Sequence, residues 1–255
     1  MQTEFFDGMI SQHYQPIVDL RSMKIAACEA LMRPATGRPA DKLAQELENT
    51  GLIKNLDLWS LKRAIETSQA LDAPVLISVN LSGMSISDSR FCIHALDLLS
   101  QMDRSNKIGF EITESSPITC MATAARFVAE ARSLGCSVGL DDLHTGHASM
   151  ATVEALGLDF IKLPAEITTA RSSVSEEIIS KACHFAEKRG IQVVAEHIDN
   201  LDQLIWLKAL GVGYGQGWLF AKAGPVIVPG ASYSHVFDQQ ETQQRDLYEA
   251  AICVG

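Results

Sequence analysis

Six short apolar runs in this chain each end in a polar residue. Those residues are Asn80, Glu111, Asp141, Lys162, Glu196 and Gln216, and they stand 31, 30, 21, 34 and 20 residues apart. Each interval fits one strand, one helix and their loops. The runs themselves, such as Val75-Leu-Ile-Ser-Val and Ile191-Gln-Val-Val-Ala, read as buried strands, and the segments between them read as helices. Short parallel-type strands alternating with helices imply a sheet covered by helices on its outer face. Two more strands are expected near the N-terminus, His13 to Leu20 and Lys24 to Met32, joined by the short turn Arg21-Ser-Met23. A turn that short suits an antiparallel hairpin. The total suits a closed (β/α)8 barrel. A doubly wound sheet is the alternative, but no glycine-rich phosphate loop follows the first strand.

The remaining segments fill in around that frame. Met1 to Ile10 reads as a short N-terminal helix. Asp41 to Asn49 reads as another, with Asp41 as N-cap and Gly51 as stop signal. Asn55 to Leu71 places Leu56, Trp59, Ala64 and Leu71 on one helical face. Asp238 to Ala251 reads as a closing helix. The 255 residues suit a single barrel domain with its core at about 12–225.

A net charge of −10 and a pI near 5.1 disfavour nucleic-acid partners. Met1 to Asp7 lacks the basic start of a signal peptide, and no apolar stretch is long enough to span a bilayer. The six cysteines form no C-x-x-C pair and read as reduced thiols. The expectation is a cytoplasmic protein.

Active sites of such barrels lie at the C-terminal ends of the strands. Any one of the polar strand ends could cap a helix or solvate the barrel mouth. Their recurrence is what argues for a site. Asp141 and Asp142 are adjacent, and strand neighbours face opposite ways, so one can face the interior while the other turns aside. Glu29, Glu111, Asp141, Asp142 and Glu196 are hard oxygen donors, and Asn80 adds a neutral one. Such a set suits Mg2+ or Mn2+, and Ca2+ is expected to bind without supporting the same chemistry. Zinc is disfavoured, since His197 is the one nitrogen or sulfur donor at these strand ends. The carboxylates exceed what one ion needs, which points to two ions and to hydrolysis of a phosphate ester. Lys162 can neutralise charge or hold the attacking water. Arg33, an even number of residues from Glu29, can share its face and grip a phosphate through two hydrogen bonds. The residues thus read as a metal-dependent phosphodiesterase.

Glu29-Ala30-Leu31 followed by Arg33, with Tyr14-Gln15-Pro16-Ile17 before it, resembles the signature of the EAL-domain family, the phosphodiesterases of the bacterial messenger cyclic di-GMP. Gly51-Leu-Ile, Leu58-Trp59, Asn80-Leu-Ser, Glu111-Ile-Thr-Glu114, Asp141-Asp142, Asp159-Phe-Ile-Lys162, Val194-Ala-Glu196 and Gly215-Gln-Gly-Trp-Leu-Phe220 continue the likeness in order, from about Gln12 to Pro225. The resemblance implies a TIM-like barrel whose first strand is antiparallel to the rest. It implies metal ligation by Glu29, Asn80, Glu111, Asp141 and Asp142, with Glu196 beside the second ion or its water. Lys162 would assist that water and Gln216 would join the same polar network. Gln15, Leu31 and Arg33 would contact cyclic di-GMP, which would be opened to linear pGpG. Glu114 would anchor the loop after Asp142, a loop that also serves a homodimer interface in this family.

Three stretches depart from the family pattern. The loop after the paired aspartates is Leu143-His-Thr-Gly-His-Ala-Ser149, where Phe-Gly-Thr-Gly-Tyr-Ser-Ser is typical, so His144 replaces a glycine. Leu163-Pro164 replaces Ile-Asp, and His197-Ile-Asp199 replaces Gly-Val-Glu. None removes an implied ligand, but all lie close enough to disturb one. They leave open a second reading, a catalytically weak or inactive domain that acts as a cyclic di-GMP receptor or protein-interaction regulator.

Overall fold

The structure, a computed structural model, describes residues 3–103, 107–113, 116–143 and 150–236. Eight strands close into a barrel in sequence order. They are β1 (Ile10–Asp19), β2 (Lys24–Pro34), β3 (Leu76–Ser82), β4 (Lys107–Thr113), β5 (Ser137–Leu140), β6 (Phe160–Leu163), β7 (Gln192–Ala195) and β8 (Tyr214–Gly215). β1 is antiparallel to both its neighbours, β2 and β8, and every other pairing is parallel. The eight-stranded barrel with an antiparallel first strand is therefore as the sequence implies.

Helices cover the barrel: α1 (Ala40–Asn49), α2 (Ile53–Gln69), α3 (Gly83–Ile86), α4 (Ser89–Ser100), α5 (Met121–Ser133), α6 (Met150–Leu156), α7 (Ala165–Thr168), α8 (Ser173–Glu187) and α9 (Leu201–Ala209). Local chemistry sets several starts. The Asp88 carboxylate accepts from Arg90 N and Phe91 N and starts α4 at Ser89, with Ser87 and Asp88 separating it from the end of α3. Ser172 and Asn200 cap α8 and α9 in the same way. Asp41 sits inside the first turn of α1, and Pro39 holds the cap position without a side-chain bond.

The N-terminus differs from expectation. Residues Glu4–Phe6 form one 3-10 turn, and Ile10 already belongs to β1. Phe6 and Ile10 are drawn into a small cluster with Trp59, while Asp7 accepts from Trp59 Nε1 at 2.9 Å. These contacts need an extended chain rather than a helix. The closing helix expected at Asp238 to Ala251 lies outside the described residues.

Strand alternation sorts the core into two layers. Cys28, Ile77, Val79, Ile108, Phe110, Val138, Leu140 and Ile161 point outward and pack against the helices. The alternate positions point into the barrel, where Ile17, Phe160 and Val194 form a separate apolar plug. Gly139 makes room for it, since a Cβ there would meet the Phe160 ring at 2.3 Å. One step further along each strand, the inward position is a polar strand end.

Candidate active site

Glu29, Asn80, Glu111, Asp141, Lys162, Glu196 and Gln216 are staggered around the barrel, Asn80 pairing with Glu111 but Glu29 with Ser78, Glu111 with Gly139 and Lys162 with Val194, and their side chains converge on the barrel axis. Lys162, 1% exposed, is the hub. Its Nζ lies 3.1 Å from Glu29 Oε2, 2.8 Å from Glu111 Oε2, 3.1 Å from Asp141 Oδ1 and 2.5 Å from Glu196 Oε1. Asn80 Nδ2 donates to Glu29 Oε1 and Gln216 Nε2 to Glu29 Oε2, each at 2.8 Å. Gln216 Nε2 also reaches Gln15 Oε1 at 3.1 Å, and Gln15 Nε2 donates to the Ala221 carbonyl. Backbone bonds set the height of these groups: Asp141 N donates to Ile112 O, Glu196 N to Leu163 O and Gln216 N to Ala195 O.

Asp142 does not turn aside. β5 ends at Leu140, and Asp142 has a left-handed φ of 54°. The strand rule that would separate neighbours no longer applies there. As a result, one carboxylate oxygen each from Asp141, Asp142 and Glu196 lie within 4.8 Å of one another.

Burying this much negative charge around one ammonium shifts the groups strongly. Burial pushes Glu196 up to about 7, against the pull of Lys162. Burial and the neighbouring Asp141 push Asp142 up to about 6, and Glu166 of α7 adds to this. Glu111 is driven well up by burial and by Glu29, and Asp141 is raised, chiefly by burial. Glu29 alone goes down, because Lys162 and the amides of Asn80 and Gln216 outweigh its burial. Burial works against the Lys162 ammonium, but Asp141, Glu111, Glu196 and Glu29 together hold it charged.

The donor set fits a divalent cation. Glu111 Oε1 is buried with no protein partner, and Asp141 Oδ1 has only the Lys162 ion pair. Hard oxygens that Lys162 leaves under-compensated are what Mg2+ or Mn2+ requires.

Beside this cluster lies a cleft of about 570 Å3 that takes in Asn80, Asp141 and Asp142 at its floor. Leu31 and Arg33 line its wall, and Arg33 Nη1 is tied to the Met32 carbonyl at 2.8 Å. The far wall is α1 and α2, with Lys42, Gln45, Glu48 and Asp57. Sequence reasoning missed these. Asp57 is fully buried and burial pushes its carboxyl up to about 7, although Ser85 Oγ and Ser82 N both donate to it. The available signal was an acid set between Leu56 and Leu58 on an otherwise apolar helix face.

Behind the mouth, Thr168 Oγ1 donates to the Glu196 carbonyl at 2.7 Å. Gln203 Nε2 donates to the carbonyls of Thr168 and His197, and its oxygen accepts from Asp199 N. Asp199 in turn accepts from Trp218 N, and Pro164 opens α7 without a side-chain cap. Glu114 and His144 lie outside the described residues.

Fold and site together define an eight-stranded barrel with an acidic, lysine-centred mouth beside a partly basic cleft. The sequence matches the EAL domain over residues 2–223, and the chain belongs to that family. It is 28% identical over 183 residues to the cyclic di-GMP phosphodiesterase PdeF of Escherichia coli K12, covering 69% of this chain and 24% of that protein. The chain spans well under half the length of several curated relatives it matches. The EAL enzyme Bd1971, in a form bound to cAMP and cyclic di-GMP, superposes with a TM-score of 0.76 at 27% identity, covering 86% of this chain and 63% of that one. BlrP1 of Klebsiella pneumoniae, in a complex with manganese and cyclic di-GMP, has the same fold, with a TM-score of 0.73 at 23% identity over 85% of this chain and 56% of its own. Among the described residues no helix is long and apolar enough to cross a membrane.

Proposed function

We propose that this chain is a metal-dependent phosphodiesterase that opens cyclic di-GMP to linear pGpG. The observation that carries the reading is the meeting of Glu29, Glu111, Asp141 and Glu196 around Lys162, next to a cleft walled by Arg33. Family membership and the named activity of PdeF support it.

In this reading Glu29, Asn80, Glu111, Asp141 and Asp142 hold two Mg2+ or Mn2+ ions, with Glu196 beside the second; Ca2+ binds the same oxygens without supporting turnover. When bound, the ions supply Lewis acidity for the phosphoryl group and for water at neutral pH. Arg33 binds a phosphate of the substrate, and Leu31 and Gln15 contact the dinucleotide. Lys162 steadies the attacking water with its ammonium, and Gln216 keeps Glu29 and Gln15 in register with it. Glu196, pushed up to about 7 by burial, gives up its proton when a cation takes its oxygens. Glu114 as a loop anchor and a homodimer built on that loop belong to the same reading.

The test is incubation of the purified protein with cyclic di-GMP and Mn2+, with products separated by chromatography and a chelator control. Accumulation of pGpG that stops with chelator is the expected result. Tight binding of cyclic di-GMP without turnover overturns the enzymatic reading in favour of a receptor. The left-handed backbone at His197, directly after Glu196, is the observation that favours that second reading, since the family pattern has glycine there.

A further inference from the structure

The barrel holds a second cavity, of about 250 Å3, beneath the carboxylate cluster. Ser137, Gln192 and Tyr214 line it, and these are the first residues of β5, β7 and β8. The cavity therefore opens at the N-terminal end of the barrel, opposite the cleft. Gly109 packs tightly beside two of its lining residues, where a Cβ would come within 3.3 Å of Ser78 Oγ and 2.9 Å of Leu76 Cδ2.

Two buried polar groups line this cavity. Glu111, 0% exposed, gives Oε2 to Lys162 at 2.8 Å and leaves Oε1 without a protein partner. Ser78, 1% exposed, has no partner for its Oγ. Glu111 thus forms part of the wall between the catalytic mouth and the lower chamber. Buried oxygens without partners are costly, and a roomy cavity that brings several polar groups together is where ordered water is found. The volume is ample for several water molecules. A bound cation fits poorly, because it would need roughly six to eight oxygens and the remaining walls, such as Phe160 and Val194, are largely apolar.

We infer that the lower chamber holds an ordered water cluster that donates to Glu111 Oε1 and bonds Ser78 Oγ, which makes Ser78 a positioning residue acting on Glu111 through water. The cluster steadies the Glu111 carboxylate from below while Lys162 holds it from the side. The consequence for metal binding rests on the reading of Glu111 as a ligand, whereas the water cluster itself does not.

Two measurements test this. A high-resolution crystal structure of the wild-type protein is expected to show water within hydrogen-bond distance of both Ser78 Oγ and Glu111 Oε1. A chamber without density at Glu111 Oε1 overturns the proposal. Calorimetric titration with Mn2+ is then compared among the wild type, Ser78→Val and Ser78→Thr. Loss of an outer partner of a metal ligand typically costs 10- to 100-fold in affinity. Ser78→Val is expected to weaken Mn2+ binding by about that factor, while Ser78→Thr, which keeps the hydroxyl, stays within about threefold of wild type. Unchanged affinity in Ser78→Val, or an equal loss in both variants, overturns the positioning role. If the wild type takes up no Mn2+, the ligand reading of the mouth fails, and diffraction from the wild type still decides the chamber.

Discussion

Gln203 Nε2 donates to the carbonyl of His197 at 2.8 Å, and His197 itself is left-handed, with a φ of 53°. The same amide donates to Thr168 O and accepts from Asp199 N, so one buried side chain ties the loop after β7 to α7. Gln203→Leu removes all three bonds and leaves buried backbone groups unpaired. A loss of about 3 kcal/mol in urea unfolding is expected, within the range for orphaned buried polar groups. A loss below about 0.5 kcal/mol would mean that water replaces the amide without penalty.

His197 carries the backbone conformation that glycine adopts freely. His197→Gly relieves that strain but adds freedom to the unfolded chain, and the two effects are each about 1 kcal/mol. Its urea midpoint should stay close to wild type. His197→Val, β-branched at positive φ, should lose about 1–2 kcal/mol. A valine variant as stable as wild type would show that the loop relaxes out of the left-handed region.

The Lys162 ammonium faces Glu29, Glu111, Asp141 and Glu196 with almost no solvent access. Lys162→Met strands those charges. Removing one partner from a buried ionic cluster typically costs about 3–5 kcal/mol. That loss should appear in chelator and shrink when Mn2+ is added, because a divalent cation would compensate the same oxygens. Equal destabilisation with and without Mn2+ counts against these carboxylates as a metal site.

Much of this was legible in the sequence, and the reasons are physical. Period-two alternation turns the polar residue at each strand end inward, so five intervals along the chain predicted one spatial cluster. Arg33, an even number of residues beyond Glu29 on β2, lines the cleft beside the cluster that Glu29 joins. What failed were places where local rules stop. Asp142 follows the last strand residue and is left-handed, so it joins Asp141 instead of opposing it. Phe6 and Ile10 have helical spacing but are drawn into the cluster with Trp59, about fifty residues away in sequence. Asp57 and Gln203 gained their roles from partners on other elements, which no local spacing reveals.

Arg33 lines the cleft, and among the described residues its guanidinium bonds the Met32 carbonyl and none of the clustered carboxylates. Arg33→Ala should therefore leave Mn2+ affinity within about twofold while weakening cyclic di-GMP binding by roughly 10- to 100-fold, the worth of one charge-assisted phosphate contact. Calorimetry with each ligand separates the two. Equal dinucleotide affinity in wild type and variant would mean that the guanidinium points away from bound phosphate.

The last prediction concerns protons. Glu196 rises from an ordinary 4.5 to about 7 in the folded protein, and Asp142 from 3.8 to about 6. The folded state thus binds protons that the unfolded state has released. The stability these two groups contribute is complete below their ordinary values and is lost as pH climbs through about 6 for Asp142 and about 7 for Glu196. Glu29, shifted down, works in the opposite sense at lower pH. In chelator, the unfolding free energy should therefore fall between about pH 5 and pH 8. A cation can take these oxygens only after the protons leave, so Mn2+ affinity should rise with pH up to about 7, roughly tenfold per unit for each proton displaced. Glu196→Gln removes one such proton and should flatten the slope by about one power of ten per unit, even as it weakens binding. An Mn2+ affinity that is flat from pH 5 to 8 would mean that these carboxylates are already ionised in the folded protein, with Lys162 compensating them more fully than their burial implies.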